Sequence, residues 1–157
     1  MRKSKLLLFL SLLLPIMVGL LSALLTSLDM ELYQGLEKPP LSPPAIVFPI
    51  VWTILYLLMG AASYLAITSN ASGKQKLDST SWYLIQLIMN FLWSILFFNM
   101  KLYLFSLIWL AGMFLAIIIC TVQYYRMDKR AGWLMIPYNL WMVFAAYLNL
   151  SIVIMNK

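Results

Sequence analysis

Trp52, Asn90, Trp93, Trp141 and Asn149 are the residues whose types could hold a ligand: indoles that stack and donate one N–H, and carboxamides that both donate and accept. Each lies in an uncharged apolar stretch among similar residues: Trp52, Tyr56, Met59 and Ser63; Gln86, Asn90, Trp93 and Phe97; Tyr138, Trp141, Ala145 and Asn149. Steps of three and four put each set along one helical face. A mostly apolar hollow with a few polar anchors suits a flat aromatic ligand. Conventional catalysis lacks parts. Histidine is absent, which removes the usual base at neutral pH and the commonest ligand for zinc and haem iron. The only cysteine, Cys120, sits inside an apolar run, so no metal site, cofactor or acid–base catalytic residue is expected.

Positioning such stripes falls to five spans, 6–28, 45–68, 81–100, 102–125 and 131–156, none containing Asp, Glu, Lys or Arg. Each has the roughly 20 apolar residues needed to cross about 30 Å of hydrocarbon. With 157 residues, 64% hydrophobic and 10% charged, the chain reads as all-α: one polytopic membrane domain, a five-helix bundle. Residues 1–28 read as a span and not a cleaved signal, because the run is long for a signal core and no small-x-small site follows. Pro39, Pro40, Pro43 and Pro44 hold the first connection extended, with helix expected just after Pro44. Residues 70–80 read as a solvated loop, and 126–130 as a charged turn.

The net charge of +6 does not indicate nucleic acid, because the basic residues fall in connections between spans. Arg2, Lys3, Lys5, Lys74, Lys76, Arg126, Lys129 and Arg130 gather at one end, against Lys38, Lys101 and Lys157 at the other. The positive-inside rule then places the N-terminus in the cytoplasm and the proline-rich connection and C-terminus outside. At about 1.5 Å per residue, Trp52, Trp93 and Asn149 lie about 10 Å below the outer edge, Asn90 and Ala145 about 15 Å, and Trp141 deeper. All six can line one pocket under the first connection, where Tyr33 sits. Asparagine and tryptophan also serve as ordinary helix contacts, so each residue taken singly has a packing reading as well. Trp82, Tyr83, Tyr103, Tyr124, Tyr125 and Trp133 lie near span ends, where an interfacial aromatic belt is expected.

Four separated motifs resemble the TspO/MBR family, the tryptophan-rich sensory proteins related to the mitochondrial translocator protein. They are Lys38-Pro39 with Pro43-Pro44; Phe48-Pro49-Ile50-Val51-Trp52 with Leu55 to Gly60; Asn90-Phe91-Leu92-Trp93-Ser94 with Phe97-Phe98; and Pro137-Tyr138-Asn139-Leu140-Trp141 with Phe144-Ala145 and Leu148-Asn149. The resemblance implies an integral protein of the bacterial cytoplasmic membrane, commonly a homodimer, that binds protoporphyrin IX or a similar tetrapyrrole. Carried over by position, the ligand-binding residues are Tyr33, Trp52, Asn90, Trp93, Trp141, Ala145 and Asn149. It further implies light-dependent porphyrin breakdown as an alternative activity, with Trp52 and Trp141 as the reactive candidates. Transport of a hydrophobic solute is a third reading. Many members have Trp where Leu41 stands, and the cholesterol motif of animal members fails because Tyr147 meets no basic residue before Lys157.

Overall fold

The computed structural model describes residues 2–26 and 35–156. Five helices account for nearly all of it: α1 (Arg2–Thr26), α2 (Val47–Thr68), α3 (Gly73–Ser94), α4 (Tyr103–Met127) and α5 (Lys129–Met155). A π-helical turn, Ile95–Asn99, extends α3. All five are long and apolar enough to cross a membrane. The protein is therefore an integral membrane protein.

Local chemistry sets the helix ends. Ser72 Oγ accepts from Gln75 N at 3.3 Å while Gln75 Oε1 accepts from Ser72 N at 3.0 Å, a reciprocal cap that starts α3 at Gly73. Most of the expected loop 70–80 is therefore helical, and the third span begins well before residue 81. The charged turn expected over 126–130 shrinks to Asp128, whose carboxylate accepts from Arg130 N at 2.8 Å and caps α5. Its bond to the Arg130 side chain holds its carboxyl below the usual carboxylate range. At the opposite end, Lys101 takes a left-handed φ of 55° between the π turn and α4, closing the tight hairpin expected there. α2 begins at Val47, slightly later than expected, after a turn in which Val47 N donates to the Pro44 carbonyl. Pro49 falls within the first helical turn, where its missing N–H costs no helical bond.

α2 packs on α1 and α5, and α4 on α3 and α5. The α1–α2 crossing depends on Gly60. A Cβ there would lie 2.6 Å from the Ser11 carbonyl oxygen and 2.8 Å from Leu12 Cα. Met59, Met113, Met135, Ile117 and Cys120 fill the centre. Two residues expected in the interfacial belt belong to this core: Tyr83 and Tyr124 are 2% and 1% exposed and pack ring to ring at 5.9 Å. Tyr125 and Trp133 are exposed near the α4–α5 turn, as a belt requires.

Candidate functional site: an aromatic cavity in the bundle

The helix halves nearer the 35–46 connection enclose a cavity of about 490 Å³. Trp52, Asn90, Trp93, Trp141, Ala145 and Asn149 all line it. Tyr33, the seventh expected site residue, lies outside the described residues. Leu41, in the place of the family tryptophan, is exposed on the connection and absent from the lining.

Each tryptophan is backed by other rings. Trp52 stacks on Tyr56 at a centroid distance of 5.4 Å and meets Tyr138 edge-on at 6.2 Å. Trp93 stacks on Phe97 at 5.2 Å with Phe98 edge-on at 6.2 Å. Trp141 lies between Phe48 at 6.1 Å and Phe144 at 5.4 Å. Rings braced in this way present fixed faces to a ligand.

The two asparagines act differently from the indoles. Asn90 is buried at the cavity floor with both its oxygen and its nitrogen bonded to the protein: Tyr56 OH donates to its Oδ1 at 3.1 Å, and its Nδ2 donates to Tyr138 OH at 3.0 Å. Tyr138 OH donates on to Gln86 Oε1 at 2.9 Å, and Gln86 Nε2 to Met59 Sδ at 3.8 Å. This chain joins α2, α3 and α5 behind Trp52. In the amide orientation that satisfies its neighbours, Asn149 donates from Nδ2 to the Tyr103 carbonyl at 2.9 Å. Its Oδ1 accepts from Ser106 Oγ at 3.0 Å and Trp93 Nε1 at 3.3 Å. α4 thus supplies no wall yet buttresses one. The asparagines position the aromatic residues, while the indole N–H groups of Trp52 and Trp141, which line the cavity, have no hydrogen-bond acceptor among the described residues.

α1 supplies a wall that the three stripes did not include: Gly19, Ser22, Ala23 and Thr26, with Ile16 and Leu20. Their spacing of i, i+3, i+4 and i+7, small or polar within a leucine-rich run, was the available signal. Gly19 lets α1 close on the aromatic floor, since a Cβ there would lie 2.2 Å from the Tyr56 ring. The π turn adds Phe97 and Phe98, and Asn99 Nδ2 donates to the Leu25 carbonyl at 2.9 Å, fastening the turn to the end of α1. Above the cavity, Glu37 and Asn156 form a two-bond clamp. Glu37 N donates to Asn156 Oδ1, and Asn156 Nδ2 to the Glu37 carbonyl, each at 3.0 Å.

No Lys, Arg, Asp, Glu, His, Cys or Met among the described residues lines the cavity. Among the described residues, no cluster of three His, Cys, Asp or Glu exists that could hold a metal ion. The described lining can therefore stack a planar ring and donate hydrogen bonds to it, but supplies no strong axial ligand for iron and no carboxylate for proton transfer.

Comparison with known proteins agrees with these motifs. The TspO/MBR family profile matches residues 11–155. The chain is 37% identical over 124 residues to the tryptophan-rich protein TspO of Archaeoglobus fulgidus, covering 79% of each chain. It is 34% identical over 126 residues to the tryptophan-rich sensory protein of Cereibacter sphaeroides, covering 80% of this chain and 77% of that one. To the human translocator protein it is 33% identical over 118 residues, covering 74% and 70%. A match of this length and identity makes the chain a member of the TspO/MBR family.

Proposed function

We propose that the cavity binds a flat tetrapyrrole, protoporphyrin IX or a close relative, and that the protein serves a sensory or porphyrin-handling role in the membrane. One observation carries this reading: three ring-braced tryptophans converge on an uncharged cavity of about 490 Å³. That size falls in the range of small-molecule sites, about 300–1,000 Å³. Each ring pair formed with a ligand is worth about 0.5–1.5 kcal/mol beyond area burial. Trp52 and Trp141 add N–H donors, without an acceptor among the described residues, for ring nitrogens or substituent carbonyls. The excess of basic residues at one end of the bundle supports an N-terminus facing the cytoplasm, with the cavity in the outer half. A homodimer is part of the same proposal, on the family resemblance.

The reading is tested by quenching of intrinsic fluorescence with protoporphyrin IX, in detergent and in the dark. Saturable binding should weaken in Trp52→Phe, Trp93→Phe and Trp141→Phe and be unaffected in Trp82→Phe. Binding indifferent to all four would return the aromatic stripes to packing.

A photochemical role is the second reading, favoured by Trp52 and Trp141 lining the same hollow, where an excited porphyrin would touch both indoles. Light absorbed by the ring sensitises oxygen, and a nearby indole is oxidised or passes an electron. Equal rates of light-dependent porphyrin loss in wild type, Trp52→Phe and Trp141→Phe would exclude these side chains as the reactive groups.

A further inference from the structure

The cavity wall is uneven in its exposure. Its exposed members are Leu20 and Ala23 on α1, Pro49 and Thr53 on α2, and Ala45 just before α2. Every lining residue on α3, the π turn and α5 is buried or half-buried. The exposed edge thus follows a single seam, where α1 and α2 face each other. Below the cavity the two helices touch closely, with Gly60 against Ser11 and Leu12 and Gly19 against the Tyr56 ring. Farther along, apart from Leu20, the facing side chains are small: Ala23 on one side, Ala45, Pro49 and Thr53 on the other. The end of the cavity toward water is crossed by the 35–46 connection, clamped between Glu37 and Asn156, with Pro39 buried and Ser42 N bonded to the Pro39 carbonyl at 2.9 Å.

The seam is also chemically suited to hydrocarbon. Thr53 Oγ1 donates to the Pro49 carbonyl at 2.7 Å, and Thr26 Oγ1 to the Ser22 carbonyl at 2.9 Å. Both hydroxyls are spent on their own helices; Thr26 is buried, and Thr53 is the hydroxyl residue among the exposed seam residues, so that edge offers lipid no unpaired donor among the described residues. We propose that the ligand loads sideways from the bilayer, through the seam between α1 and α2 at Leu20, Ala23, Pro49 and Thr53. This rests on the ligand reading above and adds the route and a selection rule. The ligand is a flat amphipathic molecule already dissolved in the membrane. Its ring enters the cavity, and any ionised group stays at the seam near the headgroups, because no cation among the described lining residues can pair with it.

Two measurements test the route. First, association and release of protoporphyrin IX are followed by stopped flow in lipid vesicles for wild type, Ala23→Phe and Thr53→Phe. Leu115→Phe, on the exposed face of α4 away from the cavity, is the control. Blocking a portal slows both directions, whereas damage to a site speeds release. Association and release should both fall about tenfold or more in the two seam variants, within the one to three decades over which variants of one interface spread. Unchanged association, or faster release alone, overturns the proposal. So does Asn156→Ala, which frees the clamp, if it accelerates association. Second, unliganded protein is placed in vesicles whose acyl chains carry bromine. Lipid reaching the seam quenches Trp52, so wild type should lose a larger fraction of its emission than Trp52→Phe; equal fractions would mean a closed seam. Absence of any porphyrin binding in wild type would remove the ligand reading, and the bromolipid result would then decide the seam by itself.

Discussion

Replacing Asn90 with leucine tests whether the buried chain behind Trp52 is a brace. The substitution keeps roughly the same volume and removes two hydrogen bonds, from Tyr56 OH at 3.1 Å and to Tyr138 OH at 3.0 Å. Tyr138 retains Gln86 as its acceptor, but Tyr56 OH, on a buried residue, is left without a protein acceptor. Hydrogen bonds between membrane helices average about 0.6 kcal/mol and reach about 1.7, while an orphaned buried hydroxyl costs about 1–3 kcal/mol. The expected loss is therefore about 1–3 kcal/mol, dominated by Tyr56. Tyr56→Phe removes the hydroxyl itself, so the double variant Tyr56→Phe, Asn90→Leu should be more stable than the sum of the singles implies, with a coupling of about 0.6–1.7 kcal/mol. Reversible unfolding of the four proteins in mixed micelles supplies the cycle. Because Trp52 stacks on Tyr56, porphyrin affinity should fall about fivefold for each kcal/mol of ring positioning lost. Additive singles, or an Asn90→Leu protein within 0.3 kcal/mol of wild type, the scatter expected of independent sites, would refute the brace.

Gly60→Ala drives a methyl into the Ser11–Leu12 backbone and should cost about 1–3 kcal/mol, read as a lower unfolding midpoint, whereas Gly73→Ala, where a Cβ meets nothing, should be neutral or mildly stabilising. Asp128→Ala removes the α5 cap and should cost about 1 kcal/mol, while Asp128→Asn keeps an acceptor and should cost less. The folded pKa of Asp128 is depressed, so its stabilisation is present above the ordinary aspartate value near 4 and is lost as pH falls through the folded value. Asp128→Asn should accordingly flatten the acid side of the stability profile; an unchanged acid limb would contradict this. With no His, Cys or Met among the described lining residues, metal-free protoporphyrin should bind at least as tightly as haem, and a Soret titration showing the reverse order would contradict the cavity's chemistry.

The number of helices, the three stripes and their convergence were legible because apolar runs report where the chain is dry and because steps of three and four report which side chains share a face. Other features were hidden for identifiable reasons. Hydropathy marks the hydrocarbon boundary and not the start of the helix, so α3 was placed at residue 81 although Ser72 and Gln75 cap it at Gly73. Nearness to a span end does not say which way a ring points; Tyr83 shares a face with Gln86 and Asn90, and that periodicity was the better guide to its burial. The wall from α1 was missed because Gly19, Ser22, Ala23 and Thr26 carry no aromatic ring. The π turn has no sequence signature of its own, although Phe97, which it holds, already stood on the stripe of the third span. Most consequential was the division of labour within the site. Asn90 and Asn149 share the tryptophans' depth, but only the hydrogen bonds reveal that their amides serve the protein.

Ala145→Phe asks most directly whether the cavity is the ligand site, since it adds a phenyl ring to the wall between Trp141 and Asn149. Protoporphyrin IX is titrated in the dark against wild type, Ala145→Phe and the remote control Leu115→Phe, with helix content measured on each sample. The expected result is saturable binding to wild type and control, and loss of about tenfold or more in Ala145→Phe at unchanged helix content, equivalent to about 1.4 kcal/mol. Equal affinity in all three proteins would mean that the ligand does not occupy this cavity.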